Sequence, residues 1–334
     1  MSNSSSASPL FDATGRDRLI AQLADIAFIP AQDAVASDDA IAHAYLDYYG
    51  INFAKTRPGL SHGFGALDTG GFRIATHYWL PANPTGTLVV IHGYYDHVGL
   101  FGRAIEFGLA QGKAVLAFDL PGHGLSSGER VAIDSFDQYA DVLEALLTAA
   151  QPLLPAPYGA LGQSTGGSVL LNYLWRYDAP RIAPRLQHIA LCAPLVLPRA
   201  WGGGRIVYQL VHRFVTRVPR GRSRNSHNPD FLRFVDEQDC LQSHTLSVRW
   251  VGAMKAWNRQ FRAFPSLPDK SVLVLQGTDD QTVAWRYNLR QIARKLPRAR
   301  LYFIEGARHQ LVNESDEYRQ QVMAKLRDYF SAQP

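Results

Sequence analysis

One five-residue stretch, Gly162-Gln163-Ser164-Thr165-Gly166, has the types and spacing for nucleophilic chemistry. Before it, Tyr158 to Leu161 is a short, mostly apolar run after the breaks at Pro152, Pro155 and Pro157. After it, Val169, Leu170, Tyr173 and Leu174 recur at helical spacing. G-x-S-x-G between a strand and a helix is the pattern of a nucleophile elbow. The serine must stand on a tight, strained turn that lifts its hydroxyl clear of the backbone. The residues two before and two after it then come very close, so Gly162 and Gly166 must be small. The helix that follows points its positive dipole end at Ser164, which favours an anion forming there. An ordinary Gly-rich turn also fits these residues, so the elbow reading needs the rest of the machinery.

A serine hydroxyl is a weak nucleophile until a base takes its proton and a third group orients that base. In Val274 to Val283 a strand ends and an acidic loop begins, and Asp279 and Asp280 are both candidates for the orienting acid. An Asp pair in a turn also serves plain turn chemistry. In Phe303 to Gln310 the next strand ends and His309 sits in the loop before the last helix. There are 11 histidines, so position rather than type singles this one out. An oxyanion would need the backbone N–H of Thr165 and a second donor. The loop Val90 to His97 offers Tyr94, with Gly93 letting the chain turn sharply. His92 and His97 read as loop-structuring residues. Asp119 to Gly124 reads as a tight loop shaping the site floor, with His123 not the base.

The elements that carry these loops follow from pattern. Phe72–Leu80 alternates, while Thr87–Ile91, Ala114–Phe118 and His188–Ala193 are nearly continuous apolar runs, the mark of strands buried on both faces. Ser271–Leu275 and Arg300–Ile304 complete the strands. Helical stretches are expected at 102–111, 134–149, 285–295 and 314–330. Strands alternating with helices imply a doubly wound, mostly parallel sheet with helices on both faces. Residues 1–60 read as an N-terminal helical extension, with a Ser-rich disordered start. Leu19, Ile20, Leu23, Ile26 and Ala27 form one apolar helical face; Ile41, Tyr45, Leu46 and Tyr49 form another beyond Pro30. Residues 61–194 and 268–334 read as the core, and 195–267 as a helical cap over the sheet's C-terminal edge. Within the cap, helices are expected at 229–235 and 246–261. Ile206, Val207, Leu210, Val211, Phe214, Val215 and Val218 repeat at helical spacing up to the stop at Pro219-Arg220-Gly221, with Arg205, Gln209, Arg213 and Arg217 opposite. The first expectation for that helix is a core-packed apolar face under a solvated basic one; the alternative is a membrane-surface role.

The chain has 334 residues, 46% hydrophobic and 19% charged, which fits a soluble globular protein with a large core. Lys plus Arg number 34 against 29 Asp plus Glu, too mild an excess to point to nucleic acid. A basic surface equally suits anionic lipid. Cys192 and Cys240 are the only cysteines, so neither a disulfide framework nor a zinc site is expected, and Cys192 reads as a buried core thiol. Met1 to Ser6 lacks the basic and apolar regions of a secretory leader, and no run approaches the roughly 18 apolar residues of a membrane span. A cytoplasmic location is expected, with peripheral membrane contact through the cap as the alternative.

With these motifs in place, the chain resembles the α/β-hydrolase superfamily, in the branch of monoacylglycerol lipases and lysophospholipases. The resemblance runs from about residue 72 onward. It is carried by His92-Gly93-Tyr94-Tyr95-Asp96-His97, Asp119 to Gly128, Gly162 to Gly166, Gly277 to Val283 and Gly306-Ala307-Arg308-His309. It implies the α/β-hydrolase fold with the triad in the order Ser, Asp, His, and its G-x-x-D-x-x-V pattern selects Asp280 over Asp279. It also implies a cofactor-free and metal-free ester hydrolase with an acyl-enzyme intermediate. Ser164 would be nucleophile, His309 base and Asp280 its orienting acid, with the N–H groups of Tyr94 and Thr165 as the oxyanion hole. A histidine base implies activity rising with pH through an ionisation at roughly 6 to 7. Tyr94-Tyr95 is bulkier than the small residues often found there, which narrows the acyl entrance, and the extension before residue 60 departs from the pattern. The expected substrate is a small lipid ester, a monoacylglycerol or lysophospholipid. Acyl transfer or thioester hydrolysis with the same triad is the alternative, and a non-catalytic ligand-binding module is the rival from another class.

Overall fold

The computed structural model describes residues 11–28, 40–221 and 224–331. The Ser-rich start and Pro30 lie outside the described residues. Eight strands form one sheet: β1 (Ser61–Thr69), β2 (Phe72–Leu80), β3 (Thr87–Ile91), β4 (Ala114–Phe118), β5 (Tyr158–Gln163), β6 (Leu186–Cys192), then β9 (Leu273–Gly277) and β10 (Arg300–Ile304) after the insertion. Their spatial order is β1-β2-β4-β3-β5-β6-β9-β10. β2 pairs antiparallel with β1 and β4, and every other pairing is parallel. This is the α/β-hydrolase fold.

Every residue of β3, β4, β5 and β9 is buried, because apolar clusters cover both sheet faces. On one face pack α5 (Phe136–Ala150), α6 (Thr165–Tyr173) and α10 (Trp285–Lys295), through Leu143, Leu170 and Ile292. On the other pack α4 (Gly102–Ala110) and α11 (Asp316–Ser331), through Ile105, Leu326 and Phe330. Ser135 starts α5 with a capping box completed by Gln138. Strand order reverses at β3, which connects to β4 on one side and lies against β5 on the other. Loops leaving the carboxyl ends of β3 and β5 therefore meet at a topological switch point, where such sheets bind ligands.

Two expectations at the N-terminal side are corrected. β1 is a strand that alternation did not announce, because Gly63 and Gly65 interrupt its pattern. A Cβ on Gly65 would sit 2.8 Å from the backbone at Ala24 and Ile26. The chain at 24–26 lies there because α1 (Ala13–Gln22) ends earlier than the apolar spacing suggested. Ala24 and Ile26 exchange backbone bonds of 2.8 Å with Ala66, which covers the edge strand. Leu23, Ile26 and Ala27 are thus not on a helical face. Beyond it, α2 (Ala40–Tyr48) buries Tyr45 and Leu46, and the short α3 (Phe53–Thr56) leads into the sheet.

The segment between β6 and β9 holds α7 (Trp201–Val211), β7 (Arg217–Pro219), α8 (Pro229–Glu237), β8 (Thr245–Ser247) and α9 (Val248–Ala263). The helix expected to run to Val218 stops at Val211. Arg217 to Pro219 pairs instead with Thr245 to Ser247, because cross-strand bonding overrides the helical period of β-branched residues. The expectation of a core-packed apolar face on α7 is also overturned. Ile206, Val207, Leu210 and Phe214 are exposed, Phe214 by 86%. α9 is the element that anchors the insertion: Trp250, Met254, Trp257 and Phe261 are buried, and Trp257 stacks on Phe136 of α5.

Candidate active site

Ser164 joins β5 to α6 with φ 53° and ψ −109°, a left-handed backbone that costs a non-glycine residue about 1–3 kcal/mol. Neighbouring strands hold it there. Its N–H donates to Cys192 O at 2.8 Å, and its carbonyl accepts from Leu195 N at 3.0 Å. A Cβ on Gly162 would lie 2.5 Å from the Gly166 carbonyl, and one on Gly166 would lie 2.2 Å from Ile91 O. Both glycines are therefore steric requirements of the turn. Thr165 opens α6, so its N–H has no acceptor within the helix.

Parallel register brings the remaining motif residues to the same sheet edge. Gln163 lies opposite Cys192, Cys192 opposite Leu275, and Leu275 opposite Tyr302, so the loops after β5, β9 and β10 leave side by side. His309 Nδ1 lies 2.8 Å from Asp280 Oδ2, with both side chains almost wholly buried. Gln276 Nε2 donates to the same oxygen at 3.0 Å, and the N–H groups of Thr282 and Val283 donate to Oδ1 at 2.8 and 3.1 Å. Burial pushes the Asp280 carboxyl up, but His309 and these donors outweigh it and hold the pKa below the ordinary aspartate value. Asp279 accepts instead from Gln281 Nε2 and lies 3.6 Å from Arg308 Nε. Gly277 permits the close packing of the two loops, since a Cβ there would lie 2.3 Å from Ala307 O.

Tyr94, Ser164, Thr165 and His309 all line one cavity of about 530 Å³, while Asp280 sits behind His309. That volume falls within the roughly 300–1,000 Å³ of small-molecule sites. Its walls are largely apolar and come from the insertion: Trp201, Val207, Leu246, Trp250, Val251 and Met254. The loop after β3 passes so near the elbow that a Cβ on Gly93 would lie 3.4 Å from Ser164 Cβ. Tyr94 donates its hydroxyl to Val131 O at 2.7 Å and stacks on Trp250 at 3.8 Å.

The other histidines of the early loops are structural. His92 Nδ1 lies 2.7 Å from Gly93 O, and its Nε2 accepts from Leu120 N at 2.9 Å, so it is neutral; burial lowers its pKa well below the ordinary value. His123 is buried with Nδ1 at 2.9 Å from Pro121 O, and burial holds its pKa at about 3. His97 Nε2 bonds Asp239 Oδ2 at 2.9 Å in a wholly buried pair. Tyr49 donates its hydroxyl to Asp239 Oδ1 at 2.7 Å, so this one carboxylate joins the end of α2, the loop after β3 and the end of α8.

Several residues that support the site had no signal in the pattern. Gln163 donates to His309 O at 2.8 Å from within the elbow motif. Glu314 is buried and accepts from Arg308 N at 2.7 Å and His227 N at 2.6 Å, tying the His309 loop to the insertion. Gln310 Nε2 donates to both oxygens of Asp96, a buried carboxyl in the cavity wall. Burial pushes the Asp96 pKa up against the pull of Gln310 and Arg220. Only the tertiary fold shows these partners, although Gln163 lay in plain view as a variable position of the motif.

Residues 82–316 match the Hydrolase_4 family, described as serine aminopeptidase, S33. The chain belongs to this family. Among curated proteins, this Hydrolase_4 member is 27% identical over 265 residues to a monoglyceride lipase homolog of Monkeypox virus, covering 75% of this chain and 91% of the relative. It is 28% identical over 220 residues to phospholipase YtpA of Bacillus subtilis, covering 61% and 80%. Among solved structures, a soluble variant of the Saccharomyces cerevisiae monoglyceride lipase in complex with a substrate analog superposes with a TM-score of 0.68 at 18% identity. That match covers 80% of this chain and 94% of the other. The likeness in structure shows the shared fold.

Proposed function

We propose that this Hydrolase_4 member is a carboxylic ester hydrolase that cleaves lipid esters, monoacylglycerol or lysophospholipid, through a Ser164 acyl-enzyme. The carrying observation is that Ser164, on its strained elbow, and His309, bonded to buried Asp280, face one largely apolar cavity. Ser164 Oγ attacks the ester carbonyl as His309 takes its proton, and the former carbonyl oxygen becomes an oxyanion. Asp280 fixes the imidazole with its proton on Nδ1 and stabilises the imidazolium. The N–H groups of Tyr94 and Thr165 receive the oxyanion, a contribution usually worth about 3 kcal/mol per donor. His309 then returns the proton to the leaving alcohol. Water, activated by the same imidazole, releases the fatty acid and regenerates Ser164.

The apolar walls suit an acyl chain, and the names of the relatives support a lipid ester. We read 195–267 as a cap over a core of 61–194 and 268–334, with the extension before residue 60 packed against both. The exposed Ile206, Leu210 and Phe214, with Arg205 and Arg213 nearby in sequence, support peripheral contact between α7 and an anionic membrane surface. No described helix is long and apolar enough to cross a membrane. The deciding experiment combines a fluorophosphonate probe with turnover of 1-oleoylglycerol. Labelling at Ser164 and loss of both labelling and turnover in Ser164→Ala are expected. A Ser164→Ala protein that keeps full activity sinks the assignment.

A further inference from the structure

Two arginines in the cavity wall have no role in the reaction described above. Among the described residues, neither the Arg199 nor the Arg220 guanidinium has a carboxylate within 4.0 Å, and both line the cavity of Ser164. The outward-facing arginines nearby differ. Arg217 pairs with Glu129 at 2.9 Å, and Arg249 pairs with Asp134 and Glu129. Unlike these two, the cavity-side pair makes no direct ion pair, and the carboxylate that feels Arg220, Asp96, is bonded to Gln310 instead.

Arg220 is held in place by contacts that spare one edge of its fork. Its guanidinium carbon lies 3.9 Å from the Tyr95 ring centroid, a cation–π contact. Nη1 donates to Gln242 Oε1 at 2.7 Å and to Ser243 O at 3.5 Å, and its backbone N–H donates to His244 O at 2.8 Å. Among the described residues no acceptor meets Nε or Nη2. Those two N–H groups form an edge whose geometry matches two oxygens of a phosphate. Arg199 is fixed at its backbone, whose N–H donates to Thr282 O at 3.0 Å beside the Asp280 loop.

The contacts also say which part of a substrate would meet Arg220. Tyr95, under the guanidinium, precedes Asp96. Asp96 is bonded to Gln310, and Gln310 N donates to Asn225 O at 2.8 Å. Gln310 follows His309, which protonates the departing alcohol. These contacts link the polar part of the wall to the loop of His309, the group that hands a proton to the leaving alcohol. Asp96 is the one acidic residue in the wall among those described, and its carboxylate is occupied by Gln310.

We propose that the free edge of Arg220, assisted by Arg199, is an anion subsite that selects lipid esters whose alcohol carries a phosphate. This rests on the lipid-esterase reading and narrows it from uncharged monoacylglycerol to a lysophospholipid. The bond cleaved remains the acyl C–O bond. Water supplies the atoms for the fatty acid and the alcohol, and the phosphate leaves unchanged on the alcohol.

The test compares kcat/KM for 1-oleoylglycerol 3-phosphate with that for 1-oleoylglycerol, taken as a ratio so that partial loss of folded protein cancels. The wild-type ratio is expected above one. Arg220→Gln should lower it about tenfold or more, the scale of one charge-assisted hydrogen-bond pair, with Arg220→Lys in between and Arg199→Gln causing a smaller drop. A ratio unchanged in both Gln variants overturns the subsite. Competitive inhibition by inorganic phosphate that Arg220→Gln abolishes, with a wild-type ratio near one, assigns the subsite to a free anion and overturns the lipid selection. If wild type hydrolyses neither lipid, the esterase reading has failed, and binding still decides the subsite. In that case 1-octanoylglycerol 3-phosphate is titrated into Ser164→Ala with and without Arg220→Gln. A tenfold weakening upholds the subsite, and equal affinity sinks it.

Discussion

Asp280→Asn keeps the shape of the side chain and removes one of its two acceptors. In the wild type, Oδ2 receives His309 Nδ1 at 2.8 Å and Gln276 Nε2 at 3.0 Å, while Oδ1 receives the N–H groups of Thr282 and Val283. An asparagine oxygen can replace only one of these positions. If it takes the place of Oδ1, its amide N–H₂ faces His309 and Gln276. His309 must then carry its proton on Nε2, so it can no longer accept one from Ser164. Gln276 loses its acceptor, and turning its amide would break its 3.0 Å bond to Gly277 O. The opposite orientation sets the N–H₂ against two backbone donors. At least one buried group is left unpaired either way, which costs about 1–3 kcal/mol of stability. The wrong imidazole tautomer costs about 10⁴ in kcat, or about 5.4 kcal/mol in the barrier. The assay is ester turnover together with thermal unfolding. Asp279→Asn is the control, because its carboxylate meets Gln281 Nε2 at 3.0 Å and only approaches Arg308. A turnover for Asp280→Asn within tenfold of wild type, or a larger loss in Asp279→Asn, would refute the reasoning.

Gln163→Met removes the donor to the His309 carbonyl while filling similar space. It should lower kcat about tenfold with KM nearly unchanged, the kinetic mark of a misplaced base rather than a damaged pocket. Leu210→Ser with Phe214→Ser removes two exposed apolar side chains of the α7 region. Sedimentation with anionic vesicles should show binding weakened about tenfold or more, and unchanged binding removes the membrane role of that face. The His97–Asp239 pair gives a pH signature. Burial opposes a charge on His97, but Asp239 outweighs it and raises the pKa, while His97 and the donors around Asp239 hold that carboxyl low. The raised histidine contributes stability that is fully present below about 6.5 and lost as pH rises through its folded-state value. The advantage of wild type over Asp239→Asn in melting temperature should therefore shrink as pH rises from 6.5 through that value. A constant difference would show that the pair does not titrate there.

What the sequence made legible depended on how local the cause was. Thr87–Ile91 and Ala114–Phe118 are readable as strands because both faces of the sheet are covered and no polar side interrupts them. β1 was hidden because Gly65 accommodates the chain at 24–26 and Gly63 the Tyr78 ring, neither of which a local pattern reports. The α7 helix was drawn too long because the repeat in Phe214, Val215 and Val218 continues where pairing with 245–247 takes over. At the candidate site, three motifs at strand ends could be seen, and parallel register carries those ends to one edge. The residues alone left Asp279 and Asp280 open; the resemblance favoured Asp280, and the hydrogen bond to His309 is made by Asp280. Gln163 and Glu314 were not legible, since Gln163 acts on His309, 146 positions away, and Glu314 ties the His309 loop to His227, 87 positions back.

The buried Asp239 carboxylate also restricts how the insertion can move. Tyr49 and His97 hold it from two directions, so the end of α8 is moored to the body of the protein. The exposed α7, by contrast, buries no side chain among those described. The insertion is thus fastened at two places, Asp239 and the buried face of α9, and α7 is the part these fastenings hold least.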